Sequence, residues 1–156
     1  MIPIQHIHPM LVHFPIVFIF VLAAFDLFAT LRGHKVTGRT IAGNISTAVA
    51  VSAAVFAVLA MVFGDMALGV AEAGGFSSDI AEIHEGLGST VAIALVVWAL
   101  IRLVLWWRDT RLSGVTAAAM PVVAIAGAGL VVATAYYGGQ LVFDLGVNVA
   151  HAGLAG

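Results

Sequence analysis

The sequence predicts an all-α integral membrane protein, a four-helix up-down-up-down transmembrane bundle with both termini periplasmic. Three observations lead there. The chain has 156 residues, of which 62% are hydrophobic and 9% charged, with a mean hydropathy of +1.13, whereas an ordinary soluble domain is about a quarter charged. Its apolar residues gather in four runs, each meeting the roughly 20 residues a helix needs to cross the hydrocarbon layer. The cations are all on one side of that pattern: Arg32, Lys35 and Arg39 fall in the first connection, with Arg102, Arg108 and Arg111 around the third. The second connection carries Asp65, Glu72, Asp79 and Glu82 and no cation. Because cation-rich loops stay in the cytoplasm, the first and third connections are expected inside, and the chain is expected to be a multi-pass protein of the bacterial inner (cytoplasmic) membrane. The lipid bilayer is then its first partner, and nothing points to nucleic acid.

The elements follow in order within a single transmembrane domain, 1–156. The first helix is expected over 9–31, with Pro9 at the favoured first helical position. No Lys or Arg precedes Arg32, so the segment lacks the basic start of a signal peptide and reads as a retained helix. Pro15 removes a backbone donor and should bend it a turn below His13. The second helix, 40–64, is rich in small residues (Ala53, Ala54, Ala57, Ala60, Gly64) that permit close packing in a membrane. Gly69, Gly74 and Gly75 make 66–77 a flexible connection or a short interfacial segment. The third helix, 80–108, has Ser78 or Asp79 as its cap and Glu82 as the reciprocal partner of a capping box. It ends on Trp106 and Trp107, an interfacial aromatic belt. The fourth spans 115–143. Runs such as 48–63 lack the alternation of a β-barrel strand.

There is no cysteine, which excludes disulfides, thiolate metal sites, iron–sulfur clusters and covalently attached haem. Of six histidines, only His34 lies on the cationic side. Ionisable residues inside membrane helices are costly and mark function. His13 stands about 28 Å of helix from Arg32, and His84 about 27 Å from Arg102. The two rings are level on diagonal helices if Arg102 marks the inner boundary; with Arg108 as the boundary the match fails. Level imidazoles suit the two axial positions of a non-covalent haem b. Gly138 and Gly139 would clear space, although small residues also serve packing alone. No outer Lys or Arg is available for the propionates, which leaves uncharged donors such as Ser77, Ser78, Tyr136 and Tyr137. The alternative is that each ring clamps a backbone carbonyl or carboxylate and holds nothing. A third reading is copper or zinc, from His6-x-His8 with Met10, His13, Glu82 or Glu85. His8 and His151 are the less favoured replacements for a haem ligand. Near the cationic end, Asp26, Arg102 and Asn44 are expected to form a buried polar clamp, or, in a sharper reading, a cytoplasmic proton entry.

The chain resembles a bacterial integral-membrane family of unknown function, on His8-Pro9-Met10-Leu11-Val12-His13-Phe14-Pro15-Ile16, Asp26-Leu27, Gly64-Asp65, His84 and Gly138-Gly139-Gln140-Leu141-Val142-Phe143 through Gly146-Val147. That resemblance covers almost the whole chain and implies four helices and a redox setting, since some members are joined to or neighbour cytochrome c-like modules. On this sequence the motif histidines are His8, His13 and His84. The expected function is that of a b-type cytochrome-like protein, an electron carrier more than an enzyme. It would bind one haem near the periplasmic face and exchange electrons with quinone or a periplasmic cytochrome. The alternative is a structural or accessory subunit, as a homo-oligomer or within a larger membrane complex.

Overall fold

The computed structural model describes residues 6–147. Five helices account for most of them: α1 (Ile7–Leu11), α2 (His13–Leu31), α3 (Ile41–Ala73), α4 (Asp79–Trp107) and α5 (Gly114–Phe143). Taken together, α1 and α2 form a span of 25 residues, and α3, α4 and α5 contribute spans of 33, 29 and 30. At about 1.5 Å per residue even the shortest exceeds the roughly 30 Å hydrocarbon layer. Four helices are therefore long and apolar enough to cross a membrane, and no strand occurs among the described residues.

Each helix packs on its chain neighbours, and α2 closes the ring against α5. Among the described residues α2 and α4 make no close backbone approach, nor do α3 and α5, so these are the two diagonals of an up-down-up-down bundle. The centre is built largely from alanine: Ala50, Ala53 and Ala57 on α3, Ala92 and Ala99 on α4, and Ala124 and Ala128 on α5 are buried around Ile19 and Leu22. The bulkier Phe20, Phe28, Ile93 and Val122 point outward, as expected where lipid rather than water is the surrounding solvent and small residues let helices approach.

Helix ends are set by local chemistry. Thr40 accepts a hydrogen bond from the Gly43 amide at the start of α3, and Ser78 accepts from the Ile80 amide at the start of α4. At the end of α3, Gly75 takes the left-handed conformation (φ 89°). Its amide donates to the Glu72 carbonyl while that of Phe76 reaches the Ala71 carbonyl, the paired bonds of a Schellman stop.

Two expectations change here. α3 runs to Ala73 rather than ending near residue 64, so much of 66–77 is helix and not a connection. Hydropathy falls at Asp65, but Met66, Ala67, Leu68, Ala71 and Glu72 are good helix formers, and nothing stops the helix until Gly74-Gly75. The first span begins at Ile7 and stays helical through Val12 (φ −60°, ψ −25°), whose amide donates to the His8 carbonyl. Pro15 has no amide to return to the Leu11 carbonyl, so one helical bond is missing beside His13 while the backbone runs on.

At the cationic end a clip ties the first connection to the end of α4. The Arg39 amide donates to Asp109 Oδ1 at 2.6 Å, and the Arg39 guanidinium donates to the Trp107 carbonyl at 2.9 Å. Bonds from Arg111 and from the Arg39 amide hold the Asp109 carboxyl below the ordinary carboxylate range. Asp109 itself adopts φ 48°, the left-handed position that closes α4.

Candidate functional site

At the opposite end, where the acidic connection joins α3 to α4, the helices line a half-open cavity of about 350 Å³. Its walls are apolar and small, with Ala57, Val91 and Val131 at depth and Phe76 near the top. Two imidazoles enter it from the diagonal elements. His8 comes from α1 and His84 from α4, with ring centroids 6.1 Å apart and planes at 85°.

The rings are seated alike. His8 Nδ1 donates to the Ala60 carbonyl at 2.8 Å, and His84 Nδ1 donates to the Thr134 carbonyl at 3.0 Å. A carbonyl only accepts, so the proton of each neutral ring sits on Nδ1 and the lone pair on Nε2. Neither Nε2 has a hydrogen-bond partner among the described residues. One helical turn beyond each accepting carbonyl stands a glycine, Gly64 after Ala60 and Gly138 after Thr134. A side chain there would lie over the carbonyl it follows by one turn. A Cβ on Gly64 would come within 3.0 Å of His8 Cε1, and one on Gly138 within 2.9 Å of His84 Cε1. The two glycines leave each helical carbonyl open to a second donor.

His13 is not part of this arrangement. It is exposed at the start of α2 and does not line the cavity. The step from His8 to His13 on a helix is a turn of about 140° once full turns are removed, so the two rings face different ways. Gly138 lines the cavity, whereas Gly139 does not, and Tyr136 is 64% exposed and packs edge-on against Tyr137. His6 is exposed, and His151 lies outside the described residues. Among the described residues no three His, Asp or Glu side chains gather as a metal-binding group. Glu85 and Asp65 border the cavity on its rim.

The cationic half of the bundle holds a second polar cluster. Arg102 and Asp26 form an ion pair across the α2–α4 diagonal, with both side chains at 0% exposure. Ser46 of α3 donates to Asp26 Oδ1 at 2.5 Å. Asn44 stands apart from the clamp, accepting from Trp106 Nε1 at 2.8 Å near the surface. Residues 44 and 46 are about 200° apart on a helix, so only one of them can face inward.

Over residues 5–151 the sequence matches the family described as predicted membrane protein (DUF2231). The chain belongs to that family. No curated protein and no solved structure matches it. The signal for His8 in this family member is a spacing. The interval from His8 to Asp26 equals that from His84 to Arg102, and it amounts to about five full helical turns. Each histidine therefore shares a face with a charge that has to be buried. The halves also match at long range, since His8 and His84 are separated by the same length of chain as Asp26 and Arg102. The glycines that seat the rings, Gly64 and Gly138, stand at nearly that same separation.

Proposed function

We propose that this protein is a b-type cytochrome-like membrane protein. It holds one non-covalent haem between His8 and His84 and serves one-electron transfer at the periplasmic end of the bundle. The observation that carries the reading is the pair of imidazoles facing one cavity, each with Nδ1 tied to a backbone carbonyl and Nε2 left free. Metal-ligating histidines are held in this way, through the other ring nitrogen.

The ring centroids are 6.1 Å apart, so both side chains would be within reach of one group held between them. Two nitrogen donors suit an ion whose other positions are filled by a macrocycle. Zinc or copper held by protein alone takes three or four donors, and no such group gathers among the described residues. The bound group would supply the redox chemistry. The chain would supply ligation, apolar walls and two matched half-sites.

A second reading has its own support. The Nδ1–carbonyl bonds already satisfy one polar atom on each ring, so the histidines could act as polar fasteners between helices in an accessory subunit. The visible spectrum of detergent-purified protein, before and after dithionite, decides between them. The haem reading expects a Soret band and sharp α/β bands, lost in His84→Ala and strongly altered in His8→Ala. A colourless protein from haem-replete cells refutes it. Metal analysis of that colourless sample then separates copper or zinc from the fastener role.

A further inference from the structure

Between α3 and α4 the outer surface of the bundle carries an open apolar groove of about 350 Å³. Ala54 and Ala99 form its floor, while Val55, Leu59, Leu100 and Leu103 stand exposed along its rims. The seam continues on the same helix faces toward the cationic end. On α3, Asn44 lies about two turns from Val51, and on α4, Trp106 lies about one turn from Leu103. Trp106 Nε1 donates to Asn44 Oδ1, and the Arg39 guanidinium carbon lies 5.3 Å from the centre of the Trp106 ring. Arg108 follows directly and pairs with no carboxylate among the described residues. Arg111 already engages the Asp109 carboxylate, so this corner stays net positive. By the separations that relate the two histidines and the two seating glycines, the matched positions on the other hairpin are Thr30 for Trp106 and Ser113 for Arg39. The indole and the guanidinium therefore belong to the α3–α4 seam.

We propose that this seam binds one anionic phospholipid from the leaflet at the cationic end. An acyl chain lies in the groove, and the headgroup phosphate meets Arg39 and Arg108. The length fits. From Arg108 to Val96, which lines the far part of the groove, is about 18 Å of helix, close to the roughly 15 Å of hydrocarbon in one leaflet. Guanidinium groups present paired donors that match phosphate oxygens, and tryptophan anchors at headgroup depth. Arg39 Nη1 has no acceptor among the described residues. Cations at a membrane surface favour anionic lipid by about fivefold each. A free phosphate would meet the cations and leave the groove empty. A second copy of the chain would cover the groove and bring the same positive corner against its own. The lipid satisfies both ends of the seam, whatever His8 and His84 hold.

Trp98, Trp106 and Trp107 all lie in the cationic half of α4, so quenching of their fluorescence by lipids with brominated acyl chains reads the site in the full chain. In mixed vesicles, brominated phosphatidylglycerol should outcompete brominated phosphatidylcholine by about fivefold or more. Arg39→Gln and Arg108→Gln should each lower that preference by about fivefold. Arg32→Gln, at the position matching Arg108 on the other hairpin, should leave it near the wild-type value. Equal losses in all three variants mean diffuse surface attraction and refute the site. Arg39 also clips the first connection to α4, so Arg108→Gln carries the charge test alone should Arg39→Gln not fold. Val96→Phe copies Phe20, which stands at the matched position on α2, and should fill the groove and weaken phosphatidylglycerol binding severalfold. Unchanged binding in Val96→Phe, or displacement of the lipid by inorganic phosphate, leaves a headgroup contact only and overturns the groove. Because the chain has no cysteine, Leu100→Cys reports a second copy. The variant should stay monomeric under oxidation in phosphatidylglycerol vesicles, and near-complete disulfide-linked dimer assigns the groove to another chain and overturns the lipid site.

Discussion

Removing the Asp26 carboxylate should cost this bundle more than any other single truncation in its centre. In Asp26→Ala the Arg102 guanidinium remains between α2 and α4 at 0% side-chain exposure, and its Nε and Nη1 already have no hydrogen-bond partner among the described residues. Breaking a buried pair from one side costs about 3–5 kcal/mol. Ser46 also loses the acceptor it meets at 2.5 Å, worth about 1 kcal/mol. The expected loss is therefore about 4–6 kcal/mol. The paired replacement Asp26→Leu with Arg102→Met removes both charges at similar volume and should return to within about 1 kcal/mol of wild type or exceed it. Unfolding in mixed micelles of the two single variants and the double variant gives the coupling energy, expected to be about 3 kcal/mol or more. The reasoning fails if Asp26→Ala costs less than about 1 kcal/mol, or if the double variant loses the sum of the singles.

Further outcomes follow from the same geometry. Gly64→Ala and Gly138→Ala each place a methyl against an imidazole, so each should destabilise by about 1–3 kcal/mol, reduced by up to about 1 kcal/mol of helix propensity; nitrogen chemical shifts of the ring should report loss of the Nδ1-protonated tautomer, and an unchanged tautomer counts against the seating. His13→Ala, at an exposed position outside the cavity, should leave the tautomer and any haem spectrum as in wild type, and a lost Soret band would return His13 to the site. Asp109 has its carboxyl held low by Arg111 and the Arg39 amide. Its contribution to the clip is thus present above the unfolded carboxylate pKa and lost as pH falls through the lower folded value. Asp109→Ala should accordingly remove part of the acid-side decline in thermal stability and flatten the profile there, and a profile identical to wild type through that range rejects the clip.

The fold is legible because lipid imposes simple rules. Four long apolar runs, short connections and segregated cations lead to a four-span bundle with little competition. The overrun of α3 is hidden because hydropathy marks where a helix leaves hydrocarbon, not where its hydrogen bonds end; the Gly74-Gly75 stop is the better sign. At the site, depth alone leads to His84 but prefers His13 to His8, because depth carries no direction. It separates levels of a helix, and only the angular position selects which residue faces the partner. Asp26 supplies that angle, and counting back about five turns from it reaches His8 rather than His13. The same count on the second helix leads from Ser46 to Gly64, which also prefers Ser46 over Asn44 as the partner of Asp26. Contact between a ring and a particular carbonyl has no comparable sign in the sequence.

These equal spacings give the ion pair a role at a distance. Asp26 and Arg102 meet at one end of the diagonal, and His8 and His84 each stand about 27 Å away along the same faces. Docking one pair therefore fixes the height of the other, while a slip of one turn would displace the rings by about 5.4 Å. An alanine-rich core resists such a slip weakly, because small side chains interlock less than large ones. Buried charge is often retained to specify register rather than to add stability. The Asp26→Leu, Arg102→Met protein separates the two effects. It should unfold at or above the wild-type temperature, yet amides around His84 should exchange faster and the imidazole tautomers should become mixed. If stability and the histidine signals are both unchanged, the ion pair sets no register, and the match of spacings on the two helices carries no mechanical meaning.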